Sequence, residues 1–211
     1  MTLYLKNRMK ALQYHTEVYV KEKHRIWYGD YPFADDIKNE ILPKLNPSGG
    51  VFPDCIKRTS NVKADMTDWN ITSPQIQKLQ QYVINEISSL KPAKMADNEY
   101  YEMPLFFKDF WGNIYNKGDY TIQHMHWPSI YSLVYFLKSK WYDSPLVFTS
   151  FGQKIRPKEG RYVIFPGYLY HHVPKHRYGH KRITLSGNMY YKDVCSTSWY
   201  LDGANNKVSI V

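Results

Sequence analysis

The stretch QHMHWPSIYSLVYFLK, residues 123–138, sets two histidines two positions apart at the mouth of a long apolar run. Read outward from there, the chain changes character near residue 102. Short aromatic and β-branched runs then alternate with turn signals: FFKDFWGNIY, YTIQHMH, IYSLVYFLK, PLVFTSF, GRYVIFPG and RITLSGNMYY. The breaks carry Asn116-Lys117-Gly118-Asp119, Asp143-Ser144-Pro145, Pro157, Gly160 and Gly179. Runs recurring about every ten residues predict an antiparallel sandwich or barrel.

The residues before this region mix elements. EVYVKEKHRIWYGDYPF alternates as a strand pair does, FADDIKNEIL reads as a short helix stopped by Pro43, and NPSGGVFPD is a loop. The strongest helix signal is SPQIQKLQQYVINEISSLKP. Ser73 can cap it, Pro74 suits its first turn and Pro92 follows its end. Ile76, Leu79, Val83, Ile87 and Leu90 make one apolar stripe at helical spacing, which is scaffold and carries no chemistry. Helices laid against a later β region make an α+β domain, with the helices covering one sheet.

Bulk properties narrow the class. The 211 residues fit one domain with a sizeable core, and 43% hydrophobic content with 17% aromatics argues against disorder. No apolar run is long enough for a transmembrane helix. The start, MTLYLKNRMKALQYH, lacks the apolar segment of a signal peptide, so a cytoplasmic location is expected (the host cytoplasm for a viral chain). Asn70-Ile71-Thr72 matches a glycosylation acceptor that is idle without secretion, and Cys55 and Cys195 form neither metal spacing nor a disulfide framework. The net charge of +9 suits a phosphate-rich or acidic partner, nucleic acid among them. Scattered Lys and Arg serve solubility equally well, apart from the basic cluster KHRYGHKR at 175–182.

On a strand, His124 and His126 project from one face while Met125 points the other way, so both imidazoles can reach one metal ion. Paired strand histidines also occur as plain surface residues. The run VIFPGYLYHHVPKH reads as an apolar strand, a turn, then His171 and His172, a second source of ligands. Arg182 opens RITLSGNM, in which Arg182, Thr184, Ser186 and Asn188 share one face and Ile183, Leu185 and Met189 the other. That polar face either meets solvent or lines a pocket that holds a dicarboxylate, whose oxygens a guanidinium fork grips in two parallel hydrogen bonds.

Taken together, H-x-H before an apolar strand ending in Tyr135-Phe136-Leu137, then FPGYLYHHVP, then KRITLSGN, resembles the iron- and 2-oxoglutarate-dependent oxygenases of the double-stranded β-helix (jelly-roll) fold. Within them the chain is most similar to a prolyl-hydroxylase-like group of bacteria and marine viruses. Trp111-Gly112-Asn113 with Gly118, the run from Ser132 to Leu137, and Phe165-Pro166, His171, Val173-Pro174 and Arg182 follow that group's register. The resemblance covers about residues 105–190. It implies an α+β single domain over 1–211: a support region at 1–100, a jelly-roll catalytic core at 101–195 and a C-terminal tail at 196–211.

By the same resemblance, His124 and His171 are Fe(II) ligands, Arg182 binds the distal carboxylate of 2-oxoglutarate, and Thr184 is a hydroxyl partner to it. His171 is preferred to His172 because it keeps both the FP-to-His and the His-to-Arg distances. Two departures stand out. His126 occupies the position where the family has a carboxylate; it either completes a three-imidazole site or stands off while water or chloride fills the position. Phe136 replaces a tyrosine that touches the cosubstrate, leaving Tyr115 or Asn113 to supply that hydrogen bond. His172, His176 and His180 are expected to be exposed loop residues whose basic surroundings steer an anion.

The implied activity is that of a dioxygenase coupling 2-oxoglutarate decarboxylation to oxidation, by default hydroxylation, of an unidentified small molecule or peptidyl residue. Two rivals remain. A three-His cupin-type iron dioxygenase without 2-oxoglutarate explains the histidines but leaves Arg182 and Phe165-Pro166 without a task. A non-enzymatic jelly-roll binding module uses the charge and the aromatics and needs no metal.

Overall fold

The computed structural model describes residues 24–45, 56–57, 60–89 and 104–192. The first arm of the expected strand pair, the 46–54 loop, Cys55, Leu90, Pro92, Cys195 and the 196–211 tail lie outside them. In chain order the elements are β1 (Trp27–Asp30), α1 (Ala34–Ile41), a 3-10 turn (Leu42–Leu45), β2 (Ile56–Lys57), β3 (Val62–Lys63), β4 (Asp65–Met66) and α2 (Pro74–Ser89). Then follow β5 (Leu105–Tyr115), β6 (Tyr120–His124), β7 (Tyr131–Lys138), β8 (Leu146–Phe148), β9 (Gln153–Ile155), β10 (Arg161–Pro166), β11 (His171–Val173) and β12 (Arg182–Tyr191).

The strands form two antiparallel sheets. The larger has the order β1-β10-β7-β12-β5-β4-β2, and the smaller β3-β6-β11-β8-β9. From β5 onward the chain passes back and forth between the two sheets, with only β8 and β9 successive in one of them, as in a jelly roll. The expected α+β jelly roll with helical support is the observed architecture.

Each long central strand of the larger sheet is buried on both faces, and the sequence shows why. In β7, Leu133, Tyr135 and Leu137 pack towards the helices, where Ile37, Ile41, Ile76, Leu79, Val83 and Ile87 meet them. Val134 and Phe136 face the other sheet, among Trp111, Tyr115, Phe148 and Phe165. A strand with two buried faces reads as a continuous apolar run instead of an alternating one. That is the origin of IYSLVYFLK.

The helix starts obey local rules. Ser73 Oγ accepts the backbone N–H of Ile76 at 3.2 Å, closing one orphan donor of α2. Ser73→Ala is expected to cost about 0.5–2 kcal/mol of folding free energy, read by urea denaturation. A cost near zero would show that the hydroxyl does not cap the helix. Pro43 does not simply stop α1, as expected from sequence; the α-helix ends at Ile41 and Pro43 sits inside the 3-10 turn that follows. There its missing N–H falls in a short turn with few intrahelical bonds to lose. Among the described residues no helix is long and apolar enough to cross a membrane.

Candidate metal and carboxylate site

β6 and β11 are neighbours in the smaller sheet, and His171 pairs directly opposite His124. Directly opposed residues project from the same face with their Cβ atoms close, and the two rings sit 4.4 Å apart, centre to centre. His126 lies just past the end of β6, so the strand face predicted for both histidines is reached by the second from the following segment. Its backbone N–H donates to Gly167 O at 2.7 Å, which fixes where the ring can go. That ring lies 4.9 Å from His124 and 5.0 Å from His171. One ligand nitrogen from each of the three comes within 4.8 Å of the others.

The hydrogen bonds decide which nitrogens are free. His124 Nδ1 contacts Ile122 O at 2.9 Å, and His171 Nδ1 contacts Leu169 O at 2.9 Å. A carbonyl oxygen only accepts, so each proton resides on Nδ1 and each Nε2 keeps its lone pair. Metal-binding histidines are held in just this way, by a backbone carbonyl on the far nitrogen. All three imidazoles favour the neutral form. Burial pushes His171 down to about 3, with His124 adding to the effect and the Leu169 carbonyl opposing it. Burial, then the neighbouring His171 and His124, hold His126 well below the usual imidazole range. Burial lowers His124 as well, against the pull of the Ile122 carbonyl. Three neutral imidazoles with converging lone pairs suit iron, zinc or copper.

The same cleft is lined on its other side by Arg182, Thr184, Ser186, Asn113 and Tyr115. Arg182 is 1% exposed, yet Nε, Nη1 and Nη2 all lack an acceptor among the described residues. Its guanidinium lies between the rings of Tyr115 and Phe136, 4.6 and 5.3 Å from their centres. Burial works against its charge, countered by Tyr115 and Asp143. An arginine nevertheless keeps its proton in a protein. The cleft therefore contains a buried cation walled by two aromatic rings, with no carboxylate against it among the described residues.

Asn113, opposite Thr184 across the β5–β12 ladder, spends its amide on neighbours. Trp111 Nε1 donates to its Oδ1 at 3.1 Å, and its Nδ2 donates to Ser186 Oγ at 3.1 Å and Thr184 Oγ1 at 3.4 Å. Arg182, Thr184 and Ser186 of the polar face of β12 thus line the cleft, Thr184 2% exposed and Ser186 7%, while Asn188 is buried away from it against Ser132. Tyr115, across from Arg182, shares a 2.7 Å hydrogen bond between its hydroxyl and Thr121 Oγ1. Trp111 and Thr121 were not singled out as individual site residues from the sequence. Period-two reading of β5, which sets Trp111, Asn113 and Tyr115 on one face, is the signal that identifies the first.

Of the adjacent pair, His171 points into the cleft at 3% exposure, while His172 is half-buried with its Nδ1 3.4 Å from Thr149 Oγ1. The expectation that His176 is an exposed loop residue is corrected: it is 1% exposed. The β11–β12 connection folds back on the 116–119 turn, where His176 N donates to Asp119 O at 2.8 Å and Gly118 N to His176 O at 2.7 Å. His180 is half-buried beside it. Asp119 itself belongs to that turn, its carboxylate accepting Asn116 N–H at 2.8 Å.

No protein-family model and no curated protein matches this sequence. Solved structures do match the fold. One is a viral collagen prolyl hydroxylase from Paramecium bursaria Chlorella virus-1 in its 2OG complex, with TM-score 0.53 and 17% identity over 78% of this chain and 94% of that one. Another is a prolyl-4-hydroxylase of Pseudomonas putida, with TM-score 0.53 and 19% identity over 81% and 94%. A third is a prolyl hydroxylase from Trichoplax adhaerens in complex with a hypoxia inducible factor oxygen degradation domain peptide fragment, with TM-score 0.55 and 17% identity over 80% and 83%. The chain shares their fold.

Proposed function

We propose that this protein is an Fe(II)- and 2-oxoglutarate-dependent oxygenase, by default a hydroxylase, with His124, His126 and His171 as the metal ligands. One observation carries the reading: a fully buried guanidinium, without an acceptor among the described residues, opens onto the same cleft as three imidazoles with converging nitrogens. Each half fits its group. The imidazole set suits a transition ion. Arg182 suits a carboxylate, with Thr184 beside it as a hydroxyl donor. A three-His dioxygenase without 2-oxoglutarate leaves Arg182 with nothing to bind, and a binding module without metal leaves the three imidazoles idle.

When bound, iron and 2-oxoglutarate supply the oxidising power, with one oxygen atom of dioxygen going into succinate and the other into the substrate. The chain's own residues set the stage. Ile122 O and Leu169 O hold the His124 and His171 rings with Nε2 presented to the cleft. Tyr115 and Phe136 wall the guanidinium, so that an entering carboxylate is its acceptor in place of water. Asn113, tied to Trp111 and Ser186, holds the Thr184 hydroxyl in that wall. In this reading β5 to β12 carry the site, and α1 and α2 brace the larger sheet behind it. The oxidised partner is a small molecule or a peptidyl residue; a peptide fragment lies in the complex of one protein of similar fold.

The test is to load the protein anaerobically with Fe(II), then add 2-oxoglutarate and air. Succinate is expected, dependent on both the metal and the cosubstrate. Protein that forms none above the metal-free control, and that binds no 2-oxoglutarate by calorimetry, overturns the reading.

A further inference from the structure

Ligand-type side chains gather a second time, outside the residues that line the cleft. Asp143, in the β7–β8 connection, and His176 and His180, in the β11–β12 connection, each bring a ligand atom within 4.8 Å of the other two. The Asp143 side chain is 0% exposed and the His180 side chain 27%. Asp143 Oδ2 accepts the Lys140 backbone N–H at 2.9 Å, while Oδ1 lies 2.8 Å from His180 Nε2. His176 Nε2 donates to the His180 carbonyl oxygen at 2.8 Å, which places its proton there. Nδ1 of the same ring is left buried as a bare lone pair with no donor among the described residues. An unpaired nitrogen is costly to keep dry, and a cation held beside the carboxylate satisfies it.

We propose that Asp143, His176 and His180 form a second metal site, of the zinc class, independent of the oxygenase reading of the cleft. Two imidazoles and one carboxylate suit zinc, whereas calcium and magnesium demand mostly oxygen. The spacing from His176 to His180, H-x3-H, falls within that of known zinc pairs. An outer shell is already in place. Lys140 N–H holds the carboxylate, and the His180 carbonyl holds His176. Tyr178 stacks on His180 at 5.6 Å and lies 5.8 Å from His176, and Tyr142 meets His180 edge-on at 6.0 Å. Such partners orient ligands.

Binding moves the proton on His180 Nε2 to its Nδ1, and the metal takes its place against Asp143 Oδ1. Bonds of about 2.0–2.1 Å set tetrahedral donors about 3.3 Å apart, so the widest separation, within 4.8 Å, closes by about 1.5 Å at most. Three protein ligands leave the fourth zinc position open. The site ties the β7–β8 connection to the β11–β12 connection, immediately before Arg182.

The protein carrying His124→Ala and His171→Ala, which removes cleft ligands, is to be loaded with zinc, dialysed and its metal counted. One zinc per chain is expected, with a thermal midpoint several degrees above that of the chelated protein. Adding His180→Gln is expected to remove both the zinc and the rise while leaving the metal-free midpoint in place. A double variant that holds no zinc, or zinc that survives His180→Gln, overturns the proposal. Should the double variant not fold, the count is made on the parent chain. His180→Gln alone is then expected to hold one zinc fewer, and an unchanged count overturns the site.

Discussion

Arg182→Ala is expected to weaken 2-oxoglutarate binding by about 2–5 kcal/mol, roughly thirty- to several-thousand-fold, with metal affinity unchanged. The size follows from burial. A carboxylate drawn into this cleft leaves water, and the guanidinium is the group positioned to repay that loss. Without it, the hydroxyl of Thr184 and the amide of Asn113 remain, and the latter is already engaged with Thr184 and Ser186. A second variant separates ligand binding from packing. Arg182→Met keeps most of the stem and drops the charge. Replacing an unpaired buried charge with an apolar chain of similar volume is expected to leave the ligand-free protein at least as stable as the parent. Calorimetry for the ligand and thermal melts for the fold check the two halves. Equal 2-oxoglutarate affinity in parent and variants would mean that another cation holds the carboxylate. A large loss of ligand-free stability in Arg182→Met would mean that the guanidinium serves the fold.

How much of this was legible in the sequence depends on whether a residue's environment is set along its own strand. β12 is long, and its alternation is carried by ten consecutive residues. Leu185 against the helices and Thr184 towards the cleft therefore follow from period two alone. β11 has only three residues; period two says that His171 and His172 face opposite ways, and the resemblance's register, not the local period, chose His171. Short strands paired over long separations are another matter. β3 and β4, two residues each, are created by the strands they lie beside, with Lys63 opposite Tyr120 and Asp65 opposite Ile114. No local period announces them. The burial of His176 was invisible for the same reason. In sequence it stands in a charged run, KHRYGHKR, where polarity predicts solvent exposure. What buries it is a pair of backbone hydrogen bonds to a turn some sixty residues earlier. The Asp143–His180 contact spans 37 residues and is equally silent.

His126→Ala is expected to lower metal affinity about tenfold or more, a loss that changes even beside a site's ligands produce. Three features place this ring at the metal position. Its centre is about equally distant from His124 and His171. Its backbone is held by Gly167 O, in a loop that approaches so closely that a Cβ at Gly167 would sit 2.2 Å from Ser129 O. Its outer face is set by the tilted indole of Trp111, 6.0 Å away. Burial and two neighbouring imidazoles keep it neutral, so at neutral pH it offers a lone pair and no charge. The consequence is a site one unit more positive than one built on two histidines and a carboxylate. Extra positive charge favours a dianionic cosubstrate and weakens the hold on the metal itself. His126→Asp therefore makes the sharper comparison. It is expected to keep the metal at least as tightly as the parent, by adding an anionic donor, while loosening 2-oxoglutarate by lowering the site's charge. Chelator competition measures the first and calorimetry the second. If His126→Ala held iron as tightly as the parent, the ring would be a wall of the cleft and the metal would rest on His124 and His171 alone.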